Sequence, residues 1–160
     1  LTEIQRLEYE GYQFEAAEAS FELLVQRLLG NVKPFFKIGS VSVRTEAIGD
    51  NNPRSVADVK LTAKGEQHFE SAEGDGPVNA LDSALRKALR KAYPVIDEIH
   101  LTDYKVRVVN SEAGTAAKVR VFIEFQDKVK SWVTVGVHEN IIEASWKALV
   151  EAIEYKLYKG

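Results

Sequence analysis

Apolar positions along this chain change their spacing twice and then repeat the change. Over residues 1–30 they recur at helical spacing. Two helices are predicted, with a break near Gly11, and Phe14, Ala17, Phe21, Leu24 and Leu28 line one face of the second. From Phe35 the period becomes two. Ile38, Val41 and Val43 mark a strand, 46–54 a polar loop, 56–63 a second strand and 66–72 a third. The short Ala63-Lys64-Gly65-Glu66 link suits a hairpin. Residues 77–93 return to helical spacing. Val78, Leu81, Leu85, Leu89 and Ala92 share one face, Arg86, Lys87, Arg90 and Lys91 the other, and Pro94 is the predicted stop.

The same order then recurs. Residues 99–109 read as a strand, 110–115 as a turn-rich loop, and 118–125 and 131–137 as alternating strands. A helix starting near Asn140 carries Ile142, Trp146, Leu149, Ile153 and Leu157 on one face. A shift of 64 residues lays Val59 on Ile123, Leu61 on Phe125, Phe69 on Val133, Ala80 on Ala144, Leu85 on Leu149 and Leu89 on Ile153. The predicted fold is therefore α+β, two β-β-β-α repeats sharing a core, preceded by a helical linker arm. The arm covers 1–33 and the repeats run from about 35 to 94 and from about 97 to 158, within a domain spanning 34–160. An apolar stripe on the arm requires a partner in this domain, in a second chain or in further sequence.

Composition narrows the function. The 160 residues are 45% hydrophobic and 28% charged, with a net charge of −3. That balance argues against nucleic acid as partner. Residues 1–30 carry six Glu against two Arg, so the rest of the chain is close to neutral. Cysteine is absent, which excludes disulfides and thiol chemistry. No apolar run approaches membrane-spanning length and no leader pattern opens the chain, so a cytoplasmic protein is expected. The chain begins at Leu1 and lacks methionine, which suggests a piece of something longer.

Candidate chemistry centres on 71–90 (SAEGDGPVNALDSALRKALR). There a strand runs through Gly74-Asp75-Gly76-Pro77 into a helix. Free backbone N–H groups at a helix start can seat a carboxylate or phosphate, and glycines allow close approach to the backbone. A tight connection with no ligand is the alternative. Asp75 can receive an ammonium group or simply stabilise the helix start. By the repeat, Gly74 falls near Val137-His138, and Asn140 with Glu143 forms a second helix start of capping-box type. His68, His100 and His138 lack metal-site spacing, and no nucleophile elbow, phosphate loop or dinucleotide fingerprint is present. No catalytic residue, metal site or cofactor is expected in this chain.

Several stretches carry a resemblance: Gly74-Asp75-Gly76-Pro77-Val78-Asn79-Ala80-Leu81, 101–108 (LTDYKVRV), Gly114-Thr115-Ala116-Ala117 and 140–145 (NIIEAS). Together they resemble the C-terminal regulatory domain of the 2-isopropylmalate synthase family. The arm, 11–21 (GYQFEAAEASF), and 142–149 (IEASWKAL) look closest to its citramalate synthase branch. The resemblance implies a homodimeric cytosolic acyltransferase that condenses acetyl-CoA with a 2-oxo acid. Its metal-dependent TIM barrel lies outside these residues, which would form the linker arm and the part that binds an end-product amino acid. The family's effector site, carried over, implies Gly74, Asp75, Gly76, Pro77 and Val78 at the first helix start. It further implies Leu101, Tyr104 and Val108 on the following strand, Ala116 and Ala117 across the loop, and Ile141 and Ile142 at the second helix start. His138 departs from the small polar residue expected there. Isoleucine is the expected effector, with leucine as the alternative. A structural dimerisation module, or a small enzyme using His68 or His138 as base, are the rival readings.

Overall fold

Alternation of apolar and polar residues makes strands, and a following row at helical spacing covers one sheet face. The computed structural model describes residues 2–47, 49, 53–109 and 117–160, and follows that rule twice. The elements are α1 (Thr2–Tyr9), α2 (Glu18–Leu28), β1 (Phe36–Glu46), β2 (Arg54–Ala63), β3 (Glu66–Gly74), α3 (Pro77–Leu89), β4 (His100–Val109), β5 (Lys118–Gln126), β6 (Ser131–His138) and α4 (Ile141–Lys159). A 3-10 turn, Pro94–Glu98, separates α3 from β4. The expected α+β fold of two β-β-β-α repeats is present. The chain divides into two compact units, Pro34–Asp97 and a second made of the arm up to Lys33 with Glu98–Gly160. Among the described residues, no helix is long and apolar enough to cross a membrane.

Each repeat holds an antiparallel sheet, ordered β1-β2-β3 and β4-β5-β6. The register repeats as well as the order. Val59 pairs with Glu70, and 64 residues on Ile123 pairs with Thr134. Val41 opposes Val59 as Tyr104 opposes Ile123. Both first strands break register at the same place, between Ile38 and Ser40 and between Leu101 and Asp103. Each bulge rephases alternation, so Leu101 faces the same side as Tyr104, Val106 and Val108. The Lys64-Gly65 hairpin turn has positive φ at both positions, as a two-residue turn of this kind requires.

In the unit Pro34–Asp97, Ala57, Val59, Leu61 and Ala63 are buried, as are Ala80, Ala84 and Ala88 with Leu81, Leu85 and Leu89 of α3. In the other unit Ala144, Ala148 and Ala152 recur in the corresponding places, all fully buried. These alanine rows let each helix approach its sheet closely. The fit is legible atom by atom in the second unit. Trp132 Nε1 donates to Ala152 O at 3.0 Å and Thr134 Oγ1 to Ala148 O at 2.7 Å. A Cβ on Gly136 would lie 2.0 Å from Ala144 O. Two strand residues advance about 6.7 Å and four helix residues about 6 Å, so the steps match.

Three expectations need correction. Phe14 and Ala17 precede α2, with Ala17 at its N-cap. The helix α3 ends at Leu89, short of Tyr93. Pro94 disfavours helical geometry in the residue before it, and Tyr93 Oη donates to Phe35 O at 2.7 Å. Arg86 is half-buried rather than on a solvated face. It donates to Asp82 at 3.0 Å and to Ile96 O at 3.2 Å. Burial of Asp82 pushes its carboxyl above the usual range against the pull of Arg86. The predicted loop at 110–115 lies outside the described residues.

The arm finds its partner within its own unit. β6 is the edge of its sheet, and an edge strand exposes unpaired N–H groups. Val133 N donates to Glu18 Oε1 at 3.2 Å and Val135 N to Ser20 Oγ at 2.9 Å. Tyr12 packs against a cluster containing Val137, further along the same edge. In return, Arg120 donates to Gly11 O at 2.9 Å and Lys118 to Glu10 O at 3.3 Å. Ala17, Val135 and Val137 form a buried cluster with Tyr12, Phe14, Phe122 and Val133 packed around it.

Candidate functional site

The first helix start is built from a strand that ends against its own helix. Gly74 closes β3, and a Cβ there would lie 2.5 Å from both Ala80 N and Asn79 Oδ1. Only glycine fits so close an approach. Gly76 is the N-cap of α3 in extended backbone, Pro77 is its first residue, and no side chain caps it. This terminus therefore presents N–H groups without a side-chain acceptor. Asp75 is 96% exposed, with Arg54 Nη1 3.6 Å from its carboxylate. Val78 is half-buried.

The second start is built differently. Asn140 caps α4, its Oδ1 accepting from Ile142 N at 2.8 Å and Glu143 N at 3.2 Å. The reciprocal half of a capping box is missing. His138 Nδ1, not the Glu143 carboxylate, accepts from Asn140 N at 2.9 Å. His138 thus works as a local acceptor, which accounts for its departure from a small polar residue. Two helix starts related by the repeat are chemically unlike: that of α3 is open, and that of α4 is already satisfied.

The remaining candidates cluster on the α4 side of β4. Leu101, Tyr104 and Val108 share the inner face of that strand, with Leu101 and Tyr104 half-buried and Val108 65% exposed. The Tyr104 hydroxyl lies 2.8 Å from Ser145 Oγ, and Ser145 Oγ donates to Ile141 O at 2.7 Å. Tyr104 and Ile141 are thereby joined through one hydroxyl. Ile141 is 43% exposed and Ile142 half-buried. Ala117 is half-buried just ahead of β5, and Ala116 lies outside the described residues. Gly74 to Val78 belong to the unit Pro34–Asp97 and the others to the second unit.

Sequence reading missed Ser145, which stood unremarked inside an apolar helix face. It also missed Lys156. This buried lysine donates to Asp127 Oδ2 at 2.8 Å, while Asp127 Oδ1 accepts from Val129 N and Lys130 N, each at 2.8 Å. These bonds, that with Lys156 foremost, hold the Asp127 carboxyl well below the usual range. Among the described residues, no group of three His, Asp or Glu side chains is placed to hold a metal ion.

A model of the LeuA allosteric (dimerisation) domain matches residues 15–157. The (R)-citramalate synthase of Geobacter sulfurreducens is 51% identical over 161 aligned residues, covering 100% of this chain and 30% of that enzyme. The (R)-citramalate synthase of Aquifex aeolicus is also 51% identical, covering 99% of this chain and 30% of its own length. The 2-isopropylmalate synthase of Clostridium kluyveri is 32% identical over 142 residues, 89% of this chain and 25% of that enzyme. This chain spans about 30% of the length of the citramalate synthases it matches. The resemblance read from the sequence is borne out, and the chain belongs to the LeuA allosteric (dimerisation) domain family.

Proposed function

We propose that this chain is the regulatory, dimerising part of a cytoplasmic citramalate synthase, an acyltransferase joining acetyl-CoA to pyruvate, and that it binds isoleucine as feedback inhibitor. The observation that carries the reading is the 51% identity to (R)-citramalate synthases across the whole chain, against 32% to a 2-isopropylmalate synthase. The geometry supports an amino acid as the ligand. A zwitterion needs donors for its carboxylate and acceptors for its ammonium group. The uncapped start of α3 offers the N–H groups of Gly76 and Val78, Pro77 between them having none, and Asp75 offers an acceptor that can exchange Arg54 for a ligand cation. Within the other unit, Leu101, Tyr104, Val108, Ile141 and Ile142 offer apolar surface for an aliphatic side chain.

Magnitudes favour an enclosed site shared by two protomers. Micromolar binding needs about 8 kcal/mol. Burying one branched side chain supplies roughly 1.5–3 kcal/mol, and a helix N-terminus adds about 1 kcal/mol. Several well-aligned polar contacts must supply the remainder. Titration calorimetry of the chain with isoleucine, leucine and valine tests the proposal. Isoleucine should bind most tightly. Tighter leucine binding would assign the chain to leucine sensing. No heat from any of the three, on a dimeric sample, would leave a dimerisation module.

A further inference from the structure

The two repeats superpose in register, so a position that differs in chemistry without disturbing the register is not dictated by the fold. One pair stands out. Tyr104 occupies the place of Val41, since each opposes the corresponding residue of the central strand, Ile123 and Val59. Ser145 is the fifth residue of α4, where α3 has Leu81. Ser145 is 0% exposed and Leu81 1%. The first repeat fills this junction with apolar side chains and folds in the same way. In the second, a buried serine meets a tyrosine.

The hydrogen bonds have a direction. Ser145 has a single hydroxyl proton, and it goes to Ile141 O. The Tyr104 hydroxyl therefore donates to Ser145 Oγ across 2.8 Å. This order fixes the ring from its far end, between the middle of β4 and the first turn of α4. Leu101 shares its strand face, and Ile141 supplies the carbonyl that ends the chain.

Resting on the effector-site reading above, we propose that Ser145 is a positioning residue that sets the effector's side-chain specificity. It clamps the Tyr104 ring, and so fixes the width of the apolar wall against which a branched side chain must fit. Isoleucine and leucine differ only in the branch position. A wall held in one place separates them, and a ring free to swing does not.

The test uses the full chain with Ser145→Ala, Tyr104→Phe and the double variant, titrated with isoleucine and leucine. Both single variants should lower the ratio of leucine to isoleucine dissociation constants by about fivefold, the scale of one hydrogen bond. The double variant should fall no further, because both substitutions remove the same bond. A merely structural serine would weaken both ligands alike, and an unchanged ratio or multiplied losses would overturn the proposal. Should Ser145→Ala lose its folded tryptophan fluorescence, Tyr104→Phe, which keeps the ring, decides by the same ratio. If the unmodified chain bound neither amino acid, the effector-site reading itself would fall, a result distinct from a bound but unchanged ratio.

Discussion

Asp127→Asn isolates the buried ion pair at the β5–β6 turn. The substitution keeps the shape and leaves an oxygen that can still accept from Val129 N and Lys130 N. Its amide then faces Lys156 Nζ, whose side chain is only 7% exposed. Breaking a buried pair by removing one partner typically costs about 3–5 kcal/mol. Glu98 offers partial relief, 3.4 Å from the same ammonium but 55% exposed. The expected loss is therefore about 2–3 kcal/mol. For a unit of this size each kcal/mol moves the midpoint by about 4 °C, giving a fall of roughly 10 °C. Trp132 and Trp146 both belong to the unit containing this pair, so fluorescence-detected melting follows it alone. The pH dependence has a definite sign. Because the folded carboxyl lies well below its ordinary value of 3.8, its stabilisation is complete above that value and is lost progressively as pH falls from there toward the lower folded value. The gap between wild type and variant should be flat from about pH 5 to 7 and begin to narrow below about pH 4. A variant melting within a degree or two of wild type at neutral pH would refute the reasoning, as would a gap that does not narrow as pH falls below about 4.

Four further outcomes are expected. Ser20→Ala removes the acceptor for Val135 N, so it should cost about 1–2 kcal/mol and speed hydrogen exchange at that amide; unchanged protection would contradict the edge-capping role. Gly136→Ala drives a Cβ into Ala144 O and should destabilise by about 3 kcal/mol in urea unfolding, whereas a neutral result would mean that α4 can lift off its sheet. Asp75→Ala should weaken isoleucine binding in calorimetry without shifting the melting midpoint, because its side chain is 96% exposed; normal binding would remove Asp75 from the site. Val108→Asp, at a position 65% exposed, should leave the chain folded but shift it toward monomer in sedimentation, and an intact dimer would exclude this face from association.

Elements were legible in the sequence because periodicity is a local property. Strand and helix positions, the Asn140 cap and the 64-residue shift all follow from spacing. What spacing conceals is anything set by a partner across the fold. The bulge that turns Leu101 to the side of Tyr104 breaks alternation without a glycine or proline to announce it. Asp82 and Arg86 look like a solvated i,i+4 pair, yet Asp82 is only 8% exposed. The edge caps from Glu18 and Ser20 have no periodic signature, since hydrogen bonds to a strand edge depend on where the arm lies. A further signal lies in the alanines, those at 80, 84 and 88 recurring at 144, 148 and 152. Small residues four apart on a helix indicate close approach to whatever covers them. The candidate stretch Gly74 to Val78 was visible as a helix start, but its difference from the Asn140 start required hydrogen bonds to see.

Capping also bears on how two copies can meet. An edge strand invites pairing with another chain. At β6 that route is closed, because Val133 and Val135 already donate to the arm and Tyr12 packs against the cluster containing Val137. The opposite edge differs. On β4 the inner-face residues Leu101 and Val106 are only half-buried, and Val108 is largely exposed. On β1 the corresponding Ile38, Val41 and Val43 are half-buried too. In each repeat the helix packs on the second and third strands and leaves the first incompletely covered. A family defined by dimerisation needs apolar surface that its own helices do not bury, and these first strands supply it in both repeats. Tyr104 and Val108 lie on that same strand face. Association and effector binding would then draw on adjoining residues, so a ligand seated against Tyr104 would be sensitive to whether a second copy is present. That dependence is the minimum a regulatory dimer requires, since an effector can shift an equilibrium only by binding one of its states better than the other.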